Sequence, residues 1–375
     1  MKRILSMLVF ISLVVACSSD NGNFDPETPV DGGGDPQEVT FERSTMLTNW
    51  ADNIIIPSYE SFVNEMNNVL TAFENFKSEA NTTNLESLRA AWLTAYKSWQ
   101  HVSMFEIGPA EDIDFRLHMN IYPTDSEKIN GFVSSGSFDL DLPSNRDAKG
   151  FPALDYLLNG IDIDDAAIVS KYNGNDKEAL LNFLDALLID MKERSASVLG
   201  DWKDNYRNTF VANDGSSATA SSDRFINDYV FYYEKFLRAG KLGIPLGVFS
   251  GVQATNTVEA FYYDGLSNEL LQEALHAVQD FFNGKHFNSS TTGESMASYL
   301  ISLDRQDLTD DINAQFDSGR AALLDLQSFS IELEVDPAIN MLSAYDEVQK
   351  AVSMLKVDMF SAMSISVDYV DADGD

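Results

Sequence analysis

The sequence predicts an all-α protein, and three observations carry that reading. From Phe41 onward the apolar residues recur at three- and four-residue steps. Period-two alternation is confined to Ser364–Val370. Prolines and short polar residues stand where helices would start or stop. Pro57 suits the first turn of a helix that aligns Phe62, Met66, Val69, Leu70 and Phe73 on one face. Residues Asn81–Asn84 form a breaker, and Thr83 with Glu86 has the spacing of a capping box. The next stripe is Leu85, Leu88, Trp92, Ala95, Tyr96 and Trp99. Asp176 is placed to cap a helix carrying Leu180, Leu181, Leu184, Leu187, Leu188 and Met191. Ser222 opens another, whose inner side is Phe225, Tyr229, Tyr232, Tyr233 and Phe236; at helical spacing this aromatic stripe reads as core. Further helices are expected at about Ser267–Phe282, Asp307–Gln327 and Pro337–Met359.

Domain organisation follows from composition. Lys2 and Arg3 precede a 13-residue apolar run, Ile4–Ala16, with the length of a signal-peptide core and too short to span a bilayer. Residues 1–16 are therefore expected to be a signal peptide. The run ends Val14-Val15-Ala16-Cys17, which resembles a bacterial lipobox and makes Cys17 the expected lipidation site. Residues 17–38 are rich in Ser, Asp, Gly and Pro, too poor in apolar side chains to offset the entropy of ordering, and read as a tether. Their acidity after the cysteine resembles the surface-export signal of Bacteroidetes-type lipoproteins, pointing to an outer-membrane lipoprotein facing the periplasm or the surface. Residues 39–375 form the helical domain. The stretch 212–222, rich in Ser, Gly, Asn and Asp, is the expected break between two halves. Residues Ala90–Gln100 and Ile339–Gln349 share Leu, Ala, Tyr and Gln in register, a short internal echo.

A net charge of −34 argues against nucleic acid and against electrostatic attachment to anionic lipid, which leaves lipid on Cys17 as the membrane contact. One cysteine rules out an intrachain disulfide framework. There is no His-Glu-x-x-His, no Gly-x-Ser-x-Gly and no phosphate loop. His101, His118, His276 and His286 are the four histidines, and no two of them have helical ligand spacing. The terminal Asp371-Ala372-Asp373-Gly374-Asp375 imitates the start of a calcium loop and lacks its closing glutamate.

The stretch Gly150-Phe151-Pro152-Ala153-Leu154-Asp155, leading into Tyr156-Leu157-Leu158 and Gly160, resembles the mark of the imelysin family, Gly-x-His-x-x-Glu before an aromatic-Leu-Leu run. Gly108-Pro109, Tyr122-Pro123, Gly240–Gly247 and Val258-Glu259-Ala260 are similar to segments of that family too. The resemblance implies two helical bundles with a pocket between the halves, and a secreted or lipid-anchored protein tied to bacterial iron uptake. His and Glu at i and i+3 would grip a metal from one helical face. Here Pro152 stands at the histidine and Asp155 at the glutamate, so a peptidase depending on that pair is not expected. Glu106, Arg116, His118, Lys241 and Glu259 lie in the family-like segments and are the candidate pocket residues. Asp155, Glu106 and Glu259 suit Fe(III) by donor type. The reading is a lipid-anchored binding protein for iron or haem that meets a membrane transporter. Its alternatives are a metallopeptidase and an interaction lipoprotein that has lost its ligand site.

Overall fold

Pro57 sits in the first turn of the first long helix. That helix is α2, Ile56–Ser78. It continues from α1, Arg43–Asn49, through a widened π turn, Trp50–Ile55. The computed structural model describes residues 41–263 and 265–369. The expected signal peptide, Cys17, the tether and the acidic tail from Val370 lie outside the described residues.

Helix α3, Thr82–Trp99, begins at Asn81, whose side chain accepts from the Asn84 N–H; Asn81 takes the capping role expected of Thr83. The stripe Leu85, Leu88, Trp92, Ala95, Tyr96 and Trp99 is buried against α2. An irregular stretch then holds α4, Phe115–Met119, and α5, Ser126–Ser135. Next come α6, Gly150–Asp155, with a π turn at Tyr156–Gly160, and α7, Asp165–Lys171. Helix α8, Lys177–Asp201, packs along α2; Asp176 holds its N-cap position without a side-chain capping bond. A π turn, Trp202–Tyr206, leads into α9, Arg207–Ala212.

Residues 213–220 form an irregular loop before α10, Ser221–Phe231, which runs on as a twelve-residue π-helical segment, Tyr232–Gly243. Helix α11, Leu266–Phe282, is followed by α12, Met296–Ser302, α13, Gln306–Leu323, and α14, Phe329–Glu332. Helix α15, Ile339–Ser353, passes through a π turn, Met354–Met359, into α16, Phe360–Met363. Helix α13 lies against α11 and α15, and α15 against the π-helical segment. The internal echo thus falls on α3 and α15, and its shared tyrosines, Tyr96 and Tyr345, are both buried.

The described residues fall in one compact unit, so the cavities below are located by the elements that line them. Among the described residues there is no strand, and the alternation at the C-terminal end does not make one. That segment bonds instead to a side chain of α10: Asn227 Nδ2 donates to the Ser366 carbonyl and the Asp368 N–H donates to Asn227 Oδ1. No helix among the described residues is long and apolar enough to cross a membrane.

Candidate functional site

Helix α6 is short because its environment, more than its sequence, defines it. Every residue from Gly150 to Asp155 is buried. Phe151 stacks on Tyr96 with ring centroids 4.3 Å apart, which pins the helix beneath α3. Gly150 adopts φ +74°, and a Cβ there would lie 2.2 Å from the Met119 carbonyl oxygen, so only glycine lets α4 approach this closely. At the other end, Gly160 lies under the ring of Tyr262 with no room for a methyl group.

Asp155 ends this helix with 1% of its surface exposed. Its Oδ2 accepts from the Tyr262 backbone N–H at 2.8 Å, and its Oδ1 from Asn159 Nδ2 at 3.0 Å. These bonds and one from the Tyr263 N–H favour the carboxylate, but desolvation outweighs them and pushes its pKa up to about 7. The π turn Tyr156–Gly160 brings Asn159 back over the carboxyl group.

Asp155 and Pro152 line one side of a cavity of about 170 Å³. Tyr122, Thr124, Ser126 and Tyr262 add hydroxyl groups to its lining, and Tyr262 bonds to Ser126. The lining is completed by Pro123, Asn256, Val258, Ala260 and Phe261, so one carboxyl group and four hydroxyl-bearing residues stand among apolar neighbours. Pro152 contributes no donor atom to this lining.

Behind Tyr122 lies a closed polar network. Lys241, on the π-helical segment, forms a buried ion pair with Glu259. Its Nζ also donates to Gln100 Oε1 at 2.9 Å, while Asn120 Nδ2 donates to Glu259 Oε1 at 2.8 Å. Tyr96 Oη donates to Asn120 Oδ1 at 2.7 Å. Burial pulls the Lys241 ammonium pKa down against the pull of Glu259. Arg116 is held apart from this group: its Nε donates to the Ser103 carbonyl at 2.7 Å, and its NH2 group pairs with Asp228 at 3.1 Å. Glu106 accepts from the Arg116 backbone N–H. Burial raises Glu106 to about 7 and Asp228 to about 6, each partly offset by Arg116. His118 Nδ1 sits 3.0 Å from Lys149 Nζ, whose own partner is Asp190 at 2.5 Å. Burial and then the Lys149 charge lower His118 to about 4, so it is neutral near pH 7.

The expected site residues are thus partly gathered. Pro152 and Asp155 share the 170 Å³ cavity, which Val258 and Ala260, the neighbours of Glu259, also line. Arg116 and Lys241 face one small crevice with Tyr122 and Tyr232. Glu106 lines a separate crevice with Asp228, and His118 belongs to the Lys149–Asp190 cluster. Sequence reasoning passed over Gln100, Asn120, Asp228, Lys149 and the hydroxyls of Thr124, Ser126 and Tyr262. Lys149, next to Gly150, had a local signal; the others come together only through tertiary packing.

The family model for imelysin matches residues 55–357. Iron-regulated protein A of Synechococcus elongatus is 26% identical over 122 residues, 31% of this chain and 33% of that protein. The match thus spans about a third of this curated relative. Two crystal structures share the fold. One is described as an iron-regulated protein A precursor from Parabacteroides distasonis, with TM-score 0.69 and 15% identity over 88% of this chain and 98% of that one. The other is an imelysin-like protein from Psychrobacter arcticum, with TM-score 0.66 and 15% identity over 88% of this chain and 97% of that one.

Proposed function

The chain belongs to the imelysin family, and from that premise we propose that it is an iron-binding protein without peptidase activity, with Asp155 as its principal ligand. The relative named iron-regulated protein A supports an iron-related role. The observation that carries the site is the buried Asp155 carboxyl group at a hollow whose lining also includes Tyr122, Thr124, Ser126 and Tyr262 beside Pro123, Val258, Ala260 and Phe261. Oxygen donors of this kind suit a hard ferric ion, which displaces the carboxyl and phenol protons that burial retains. Water or a small accompanying anion fills the remaining coordination positions.

A metallopeptidase would need about three protein ligands and a metal-activated water. Among the described residues no cluster of three His, Cys, Asp or Glu side chains could hold a metal, and Pro152 removes the ligand that would pair with Asp155. We assign the protein to the outer membrane through lipid on Cys17, where it hands iron to a transporter.

The test is equilibrium loading with ferric citrate, desalting and metal analysis. One iron per chain is expected, falling at least tenfold in Asp155→Ala while Glu106→Gln binds as the parent does. Iron no higher than on an unrelated acidic protein, or iron indifferent to Asp155→Ala, overturns the reading. Chelator-sensitive cleavage of an unfolded substrate, abolished by Asp155→Ala, would establish the peptidase in its place.

A further inference from the structure

Residues 242–258 lie between Lys241 and Glu259 and carry no charge, whereas no other uncharged run after Phe41 exceeds ten residues. In a chain with 59 acidic residues, such a gap leaves part of the surface free of carboxylates. It is also apolar. Ile244, Val248, Phe249 and Val252 all face solvent, Val252 with 71% of its surface exposed.

The fold holds these side chains outward. The loop leaves the π-helical segment and turns at Gly247 and Gly251, both at positive φ. Phe249 is seated at its base: its ring lies over Gly243, where a Cβ would come within 2.7 Å, and 5.5 Å from the Arg238 guanidinium. Even so, 48% of Phe249 stays exposed. The backbone largely pairs with itself. The N–H groups of Gly247, Val248, Gly251 and Ala254 donate to the carbonyls of Ile244, Gly243, Gly247 and Pro245, and Ser250 Oγ donates to the Val252 carbonyl. Peptide groups paired in this way cost less to take out of water. Gln253 Nε2 donates to the Val335 carbonyl at 3.1 Å and brings exposed Val335 alongside. Exposed Glu334 and Asp336 flank Val335 and mark an acidic border.

We propose that this loop docks on a membrane surface, with Ile244, Val248, Phe249 and Val252 entering the boundary between headgroups and acyl chains. A protein interface ordinarily rings its apolar centre with polar and charged groups, and this run supplies no charge. A net charge of −34 gives no attraction to anionic headgroups, so the contact is apolar. The inference rests on lipid at Cys17 to bring the chain to the membrane. Twenty-four residues separate Cys17 from Phe41, which allows up to about 80 Å of extended chain. A body of this size is roughly 50 Å across, so the anchor does not select the face that meets lipid, and the loop does. Four partly exposed side chains offer less apolar surface than an acyl chain, so the loop orients the body and does not hold it alone. The same run ends in the wall of the Asp155 hollow, at Asn256 and Val258, so docking sets how that hollow faces the bilayer.

The test couples the chain from Cys17 onward, through its one thiol, to maleimide-bearing phosphatidylethanolamine in phosphatidylcholine vesicles. Phe249→Trp then reports on the loop, since the four native tryptophans are fully buried and common to every sample. The added indole emission should shift to the blue and fall at least twofold when the phosphatidylcholine is brominated on its acyl chains, and high salt should not reverse this. Ile189→Trp, on α8, should show neither change, and adding Val248→Ser and Val252→Ser to Phe249→Trp should abolish both. Emission of Phe249→Trp that is indifferent to bromination, or quenching equal in Ile189→Trp, overturns the proposal. A concentration-dependent dimer in sedimentation that Phe249→Ser abolishes would assign the face to a second copy and overturns it too. If Phe249→Trp unfolds by circular dichroism, Val252→Trp takes its place. Chemical coupling makes the outcome independent of lipidation in the cell, which fractionation of Cys17→Ala decides separately.

Discussion

Replacing Asp155 with asparagine should change how stability depends on pH more than it changes the fold. The carboxyl group is buried, and desolvation raises its pKa from 3.8 to about 7. The unfolded chain ionises this group near its ordinary value, whereas the folded chain keeps the proton longer. Folding therefore takes up a proton between those values. The associated stability is complete below about pH 4 and is lost as pH rises through 7. Asparagine is nearly isosteric and does not titrate, and a flip of the Asn159 amide lets both side chains stay paired. Across pH 5 to 8 the full shift corresponds to about 3 kcal/mol, and about 1 kcal/mol remains if relaxation halves it. Urea unfolding of both proteins at pH 5 and pH 8 measures this as a difference of differences. Glu106 and Asp228 titrate in the same range, but they are common to both proteins and cancel. Asp155→Asn should gain about 1–3 kcal/mol relative to the parent between the two pH values. A difference flat to within about 0.5 kcal/mol, or of opposite sign, would refute a desolvated carboxyl group at this position.

Lys241→Met leaves Glu259 buried without its cation and should cost about 3–5 kcal/mol in urea unfolding. The double variant Lys241→Met/Glu259→Leu should recover most of that loss. Gly150→Ala forces a methyl group against the Met119 carbonyl at φ +74° and should cost at least about 2 kcal/mol, read as a lowered unfolding midpoint. Cys17→Ala should move the protein from the membrane fraction to the soluble fraction after cell lysis, because a chain of net charge −34 has no electrostatic hold on anionic lipid.

The helices were legible where the apolar period is 3.6 and a breaker marks the end. The stripes of α2, α3 and α8 are buried as their spacing requires, Leu70 of α2 only partly. The segment Tyr232–Gly243 was not legible as a π helix, because its wider turn moves Glu234, Arg238 and Lys241 to the inner side alongside the aromatic residues. Asn81 displaced Thr83 as a cap by one short side-chain bond that composition does not rank. Pro152 and Asp155 are three residues apart on α6 and line one cavity, a local relation that the sequence displays. Tyr122 and Tyr262 reach the same cavity from segments far along the chain, and no spacing rule connects them.

Anomalous diffraction at the iron edge, from crystals of the full chain grown with ferric citrate, tests the iron site most directly. The account predicts a peak within coordination distance of an Asp155 carboxylate oxygen, absent from Asp155→Asn crystals. A peak placed elsewhere, or no peak at saturating ferric citrate, would contradict it.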